Sequence, residues 1–321
     1  MSKNLDSKDW KILYQLCTDA RLSHNKIGKV VSLSKNAVTY RIQRLINRKI
    51  ISGFFTIVDL GLLKYETHKL LIRLNTTNDK EKIEYLKSNV NVTVVDRLLG
   101  EWNLLVEFGC KNPSEFYSFL SDFKSKFSGM IDGYEIHTSL ESYKVEQLPV
   151  ELVEEKPLLK AQKKAENTDI DKVDLKLLSE LNKNSTTSLF DLGEKLGITY
   201  ETVSARIKRL KDSGVIIKFT AKINLMALGY DVYLILLELR NISKEREAAL
   251  KTYINSQKNI RYSFLSASKP IVFIYLAVKK SEELNTFLLS IKNKFSDIIV
   301  NQKYLLSTEQ LKYDLFPEGF V

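Results

Sequence analysis

Residues 5–16 read LDSKDWKILYQL, and residues 170–181 read IDKVDLKLLSEL. These are two versions of one segment. They stay in step at an offset of 165, without a gap, as far as Tyr65 and Tyr230. Asp6 falls on Asp171, Asp9 on Asp174, Gly28 on Gly193, Val38 on Val203, and Arg41-Ile42 on Arg206-Ile207. The match resumes at an offset of 168, where Phe119-Leu120 meets Phe287-Leu288. A period this long is not that of a solenoid, whose units run about 20–50 residues. Each copy is long enough to hold its own core, so the chain reads as a fused duplicate of one architecture.

Within the first copy, Leu5, Ile12, Leu13 and Leu16 have helical spacing, and Asp6 followed by Asp9 caps a first turn. A helix is expected from about Ser7 to Thr18. Ser23 offers an N-cap to a short helix carrying Ile27, Val30 and Val31, and Ser34 offers one to a longer helix carrying Val38, Ile42, Leu45 and Ile46. Ile50–Asp59, rich in β-branched and aromatic residues around Gly53, suits a two-stranded wing. Three helices and a wing make the winged helix-turn-helix outline. The periodicity then changes to strand, helix, two strands around Gly100-Glu101, a helix opened by Pro113, and a last strand near Gly133–Leu140. That order is the ferredoxin-like βαββαβ unit.

The expected fold class is therefore α+β, two copies of winged helix-turn-helix followed by ferredoxin-like βαββαβ. The boundaries are 1–62 and 63–148, a linker over 149–168, then 169–227 and 228–321. A linker of that length permits the two ferredoxin-like domains to pair within one chain, sheet against sheet, which would make each chain a pseudo-dimer or part of a larger homo-oligomer.

Composition bounds the function. The chain has 321 residues, 44% apolar and 27% charged, and a net charge of +10, which favours a polyanionic partner. Cys17 and Cys110 sit in apolar patterns far apart and read as buried free thiols. Apolar runs are too short to cross a bilayer, and charges break the N-terminal stretch where a secretory signal would lie, so a cytoplasmic protein without a membrane partner is expected. His24, His68 and His137 are dispersed, and no phosphate loop or nucleophile elbow is readable. Catalytic residues, a metal site and a cofactor are accordingly not expected.

The third helix carries the chemistry. With Val38, Ile42 and Leu45 facing the core, Ser34, Lys35, Asn36, Thr39, Tyr40 and Gln43 turn outward on the half that would enter a major groove. Arg44, Arg48 and Lys49 continue a positive flank suited to phosphates. The first sixty residues bear eleven Lys/Arg against Asp6, Asp9, Asp19 and Asp59. Double-stranded DNA is the partner these features point to. The second copy is weaker in charge and presents Thr199, Tyr200, Glu201, Ser204, Ala205 and Lys208 at the same spacing, with Arg209 on its flank. The two heads are thus expected to prefer different bases. Arg41 and Arg206 lie beside core positions and suit either a phosphate contact or an ion pair with the first helix of their own domain.

Leu5-Asp6 with Asp9, Asp19-Ala20-Arg21-Leu22-Ser23, and Ser34 with Val38, Arg41, Ile42 and Leu45 form an ordered set that partly recurs at Ile170-Asp171, Asp174, Val203, Arg206-Ile207 and Leu210. Each copy in this respect resembles a subunit of the Lrp/AsnC family of feast/famine transcription regulators. The resemblance implies a sequence-specific DNA-binding regulator whose ferredoxin-like domain assembles and takes a small effector such as an amino acid. It places the effector near a Gly-x-x-Asp turn, here Gly100, Glu101, Trp102 and Asn103, where the acid is missing. Ser268-Lys269-Pro270-Ile271 in the second copy keeps neither residue. Sirohaem decarboxylases share this paired outline and imply a His-rich pocket near the third and fourth strands, where this chain has no histidine between Val92 and Leu105. A third alternative is an assembly scaffold whose heads no longer bind DNA, for which Glu194, Glu201 and Asp212 speak in the second half.

Overall fold

The computed structural model describes residues 5–75, 78–149, 169–240, 242–267 and 271–321. Residues 150–168 of the expected linker, and Ser268, Lys269 and Pro270 of the second effector turn, lie outside the described residues. In chain order the elements are α1 (Ser7–Thr18), α2 (His24–Val31), α3 (Lys35–Asn47), β1 (Ile51–Val58), β2 (Glu66–Leu74), α4 (Lys80–Ser88), β3 (Val92–Leu99), β4 (Leu104–Cys110), α5 (Pro113–Lys126) and β5 (Ile131–Val145). The same series follows as α6 (Lys172–Lys183), α7 (Leu189–Leu196), α8 (Tyr200–Asp212), β6 (Ile216–Ile223), β7 (Asp231–Leu239), α9 (Lys244–Ser256), β8 (Ile260–Ser266), β9 (Ile271–Val278), α10 (Ser281–Lys294) and β10 (Ile299–Tyr313). The chain is mixed α+β and divides into two compact units. Of the described residues, one gathers those within 1–65, 152–228 and 314–321, and the other gathers those within 66–151 and 229–313.

In the first unit the helix starts follow the sequence closely. Asp6 and Asp171 each close a reciprocal capping box with the residue three positions on, and Ser23, Ser34, Ser188 and Thr199 cap the following helices. Gly28 and Gly193 sit where the turn to the next helix folds back. A Cβ there would stand 2.5 Å from Leu33 O and 2.7 Å from Ile198 O, so only glycine allows the helices to close.

The expected two-stranded wing over Ile50–Asp59 is corrected by the structure. The segment is one strand, β1, and its partner is β6 of the other copy, antiparallel from Ile51↔Ile223 to Val58↔Ile216. Gly53 lies inside the strand, at a register shift rather than in a turn. A lone strand leaves a row of unpaired backbone groups, and the second copy supplies the matching ladder. Bonds related by the repeat flank it: Ala20 N donates to Phe219 O (3.0 Å), as Ser185 N donates to Phe54 O (3.1 Å).

The last residues, placed by sequence with the second ferredoxin-like domain, group instead with the helical unit. Phe316 and Phe320 are buried among Leu177, Leu178 and Leu181. Tyr65 stacks on Phe320 at 4.2 Å and donates its hydroxyl to Phe320 O at 3.0 Å. Full burial of two phenylalanines contributes roughly 1.5–3 kcal/mol each.

In the second unit both halves have the order β-α-β-β-α-β. Their sheets do not simply stack face to face as expected. They curve and join at both edges into a closed barrel, in the order β10-β3-β4-β2-β5-β8-β9-β7. The fifteen-residue strands β5 and β10 make this possible, because each pairs within its own half and then continues along the edge strand of the other: β5 on β8 at Ser139↔Ser266, β10 on β3 at Ser307↔Leu98. Leu71, Leu105, Leu234, Phe264, Phe273 and Leu305 belong to one cluster drawn from both halves. Among them lies a buried charge pair: Lys69 Nζ is 2.8 Å from Glu107 and 3.9 Å from the centre of the Phe264 ring. Burial alone would push the Lys69 pKa down, but the Glu107 carboxylate more than offsets this and holds it above the ordinary lysine value. Cys17 and Cys110 are buried thiols outside any disulfide, and burial pushes the Cys110 thiol up to about 11. Among the described residues no helix is long and apolar enough to cross a membrane.

Candidate nucleic-acid interface

Helix α3 packs through Val38, Ile42 and Leu45, which leaves Ser34, Lys35, Asn36, Thr39, Tyr40 and Gln43 exposed together along one face, with Lys49 exposed past its end. Two of these side chains are already oriented. Thr39 Oγ1 donates to Lys35 O at 2.9 Å and lies 2.7 Å from His24 Nδ1, and Gln43 Nε2 donates to Asn47 Oδ1 at 2.9 Å. Partial burial lowers the His24 pKa and the nearby Lys35 charge lowers it further, so the ring is neutral beside this face at neutral pH. Arg48 is half-buried at the helix end. Asn25, Lys29, Ser32, Ser34 and Lys35 line one shallow concavity between α2 and α3.

The arginines behave differently. Arg41 donates to Asp6 at 2.7 Å and to Asp9 at 2.8 Å, and Arg44 donates to Asp9 at 2.6 Å. Asp9 is fully buried, and a carboxylate removed from water needs such partners. The second head repeats the device: Arg206 reaches Asp171 and Asp174 at 2.8 Å each, and Arg209 reaches Asp174. Of the two roles open to Arg41 and Arg206, the structure therefore displays the ion pair with the first helix, and it extends that role to Arg44 and Arg209. Asp6 feels opposing influences: burial raises its pKa, while the Asp9 N–H and Arg41 lower it more, and the net result is a carboxylate below its usual range.

On the second head, α8 packs through Val203, Ile207 and Leu210, and Thr199, Tyr200, Glu201, Ser204, Ala205 and Lys208 are exposed. The matching windows 4–62 and 169–227 each carry ten Lys/Arg, but four and eight Asp/Glu respectively. Much of that difference lies on α7, which the sequence reading passed over apart from Glu194. Position by position, Asn25, Lys26 and Lys29 become Phe190, Asp191 and Glu194. The offset of 165 held that information.

The structure brings Gly100, Glu101 and Asn103 together in the turn between β3 and β4, with each already committed. Gly100 has φ +143°, and a Cβ there would stand 2.5 Å from Leu305 Cδ2. Glu101 pairs with Lys303 at 2.9 Å. Asn103 Oδ1 accepts from Leu74 N at 2.6 Å, and its own N–H donates to Ile72 O at 2.8 Å. His68 stacks on Phe116 at 4.4 Å, with Nδ1 3.0 Å from Thr138 Oγ1, and His137 lies on β5. Among the described residues no group of three or more His, Cys, Asp or Glu could hold a metal ion.

Two family models match the chain, an AsnC-type helix-turn-helix domain over residues 5–46 and a winged helix-turn-helix DNA-binding model over residues 170–217. The chain is 34% identical over 119 residues to the HTH-type transcriptional regulator FL11 of Pyrococcus furiosus, a match that spans 37% of this chain and 78% of that protein. It is 27% identical over 120 residues to the HTH-type transcriptional regulator LrpC of Bacillus subtilis, spanning 37% and 81%. Among solved structures, the siroheme decarboxylase NirDL superposes with a TM-score of 0.66 over 98% of this chain and 96% of its own, at 14% identity. That last likeness is one of fold.

Proposed function

Because the chain belongs to the Lrp/AsnC family of HTH-type transcriptional regulators, we propose that its first head, α1–α3 with β1, is the part that reads double-stranded DNA. The chain is a DNA-binding transcriptional regulator of that type. The observation that carries the residue-level reading is the sorting of polar groups on α3. Arg41 and Arg44 face inward to Asp9, while Lys35, Asn36, Thr39, Tyr40 and Gln43 are exposed along one face. Asn36 and Gln43 are the side-chain types that match adenine edges, Lys35 suits guanine, and Arg48 and Lys49 suit the phosphates that fix the register. Selecting bound fragments from random duplex DNA tests this. The first head should yield a defined half-site, and Asn36→Ala with Gln43→Ala should relax it by about 1–3 kcal/mol per lost base contact.

The turn at Gly100, Glu101 and Asn103 is proposed as the effector region, with an amino acid as the ligand class. Glu101 supplies the carboxylate there, and a ligand α-ammonium would compete with Lys303 for it. The two ferredoxin-like halves, at 63–148 and from 228, are proposed to act as one assembly domain closed within the chain.

The whole-chain likeness to a siroheme decarboxylase favours a second reading, an enzyme acting on a haem-like tetrapyrrole. Titration of the purified chain with sirohaem separates the two. A shifted, saturable absorbance band supports the enzyme, and an unchanged spectrum supports the regulator.

A further inference from the structure

At five matched positions on the outward face of the helix-turn-helix, the second head carries chemistry opposed to that of the first. Asn25, Lys26, Lys29, Lys35 and Asn36 become Phe190, Asp191, Glu194, Tyr200 and Glu201. The backbone is not what changed. Helices α2 and α7 have eight residues each, α3 and α8 have thirteen, and all four begin at positions related by the same offset of 165. In the first head Asn25, Lys29 and Lys35 line one concavity, so Phe190, Glu194 and Tyr200 occupy the corresponding patch of the second. There Phe190 is 64% exposed and Tyr200 54% exposed. Three carboxylates repel a phosphate backbone, and two exposed rings edged by acids have the composition of a protein-binding patch.

We propose that the α7–α8 face of the second head docks on the basic α2–α3 face of the first head of a second copy. The occupant is indicated by complementarity. Lys26, Lys29 and Lys35 present the charges that Asp191, Glu194 and Glu201 lack, around a concavity able to receive an aromatic ring with lysines beside it. Within one chain the two faces do not cover each other: Lys26, Lys29 and Lys35 are exposed, as are Phe190, Asp191, Glu194, Tyr200 and Glu201, while the β1–β6 ladder holds both heads in one unit. The contact is heterologous: the second head of one chain meets the first head of the next. It covers the surface assigned above to DNA, so docking and DNA binding exclude one another. That competition rests on the DNA reading; the docking itself does not.

The experiment is sedimentation of the full chain without DNA, over a concentration series at low and high salt. Association weakened by salt is expected, as is a loss of at least tenfold in association constant for Glu194→Lys alone and for Lys29→Glu alone. The chain carrying both changes should recover the parent's association, because the charge pair is then restored in reverse. Phe190→Ser should weaken association at either salt concentration. A parent that stays monomeric throughout overturns the proposal, as does a Glu194→Lys chain that associates like the parent, or a double variant no better than the singles. Duplex DNA added to the associated parent should dissolve the contact. If DNA has no effect while the charge swap behaves as stated, the docking stands and the DNA assignment of the first head fails. If Glu194→Lys changes the base sequence selected from random DNA, the α7–α8 face reads DNA and the docking surface is overturned.

Discussion

Phe55 and Thr220 stand opposite one another in the β1–β6 ladder, and they occupy the same position in the two repeats. The neighbouring pairs, Phe54↔Ala221 and Thr56↔Phe219, exchange under the repeat. A local two-fold axis therefore passes between Phe55 and Thr220, and the helical unit contains its own dimer symmetry. The side chains around the axis have diverged. Thr220 Oγ1 donates to Cys17 O at 3.0 Å, whereas the matching link on the other side comes from Thr56 Oγ1 to Leu181 O at 2.9 Å, one position along its strand.

Thr56→Val should destabilise the helical unit by about 1–2 kcal/mol, because a buried hydrogen bond disappears and the Leu181 carbonyl loses a donor. Thr56→Ser should recover most of it. Denaturant unfolding of both variants checks this, and equal stability of Val and Thr at this position would mean the hydroxyl is idle.

The arginine ion pairs separate structural from phosphate-binding cations. Arg41→Ala should cost on the order of 3 kcal/mol of stability, since it leaves the buried Asp9 with Arg44 as its one cationic partner beside the Asp6 N–H. It should leave the slope of log affinity against log salt unchanged. Lys35→Ala with Lys49→Ala should do the reverse, keeping stability and flattening the slope by up to about two units. Salt-dependent binding isotherms for the parent and both variants decide the matter, and a flattened slope for Arg41→Ala would move that residue to the DNA.

Three left-handed residues in the first copy, Ser32 (φ 53°), Lys49 (φ 55°) and Lys64 (φ 61°), match Gly197, Gly214 and Gly229 in the second. The second copy has a residue free of the steric cost where the first does not. Ser32→Gly and Lys64→Gly should each stabilise the fold by about 0.5–1 kcal/mol, the left-handed penalty less the extra chain entropy of glycine. Thermal melting reads the gain, and a lowered midpoint for either variant would refute it.

Lys144 on β5 donates to Asn255 O at 3.4 Å and to Gln257 O, at the C-terminal end of α9. Burial pushes its pKa down to about 8, below the unfolded value of about 10.4. The unfolded chain therefore holds this proton more tightly, and stability rises as pH increases from about 8 to above 10. Relative to Lys144→Met, the parent should gain stability across that window. Paired melts at each pH cancel the contribution of the other lysines, and a constant difference would exclude the linkage.

The sequence by itself determined the duplication, the helix starts, the alternation of strand and helix, and which face of α3 is polar. All of these are local. Caps such as Asp6 and Ser34 act within three residues, and the positions of Val38, Ile42 and Leu45 follow from one helical period. Only the tertiary structure decided where the strand edges go. β1 finds β6 rather than a hairpin partner, and β5 and β10 run on to close a barrel, because an unpaired backbone edge is satisfied by any complementary strand and its own sequence does not specify which. It decided as well that Arg41 and Arg44 turn inward. Asp9 lies 32 and 35 residues away from them, and its need for partners arises only once folding has taken it out of water.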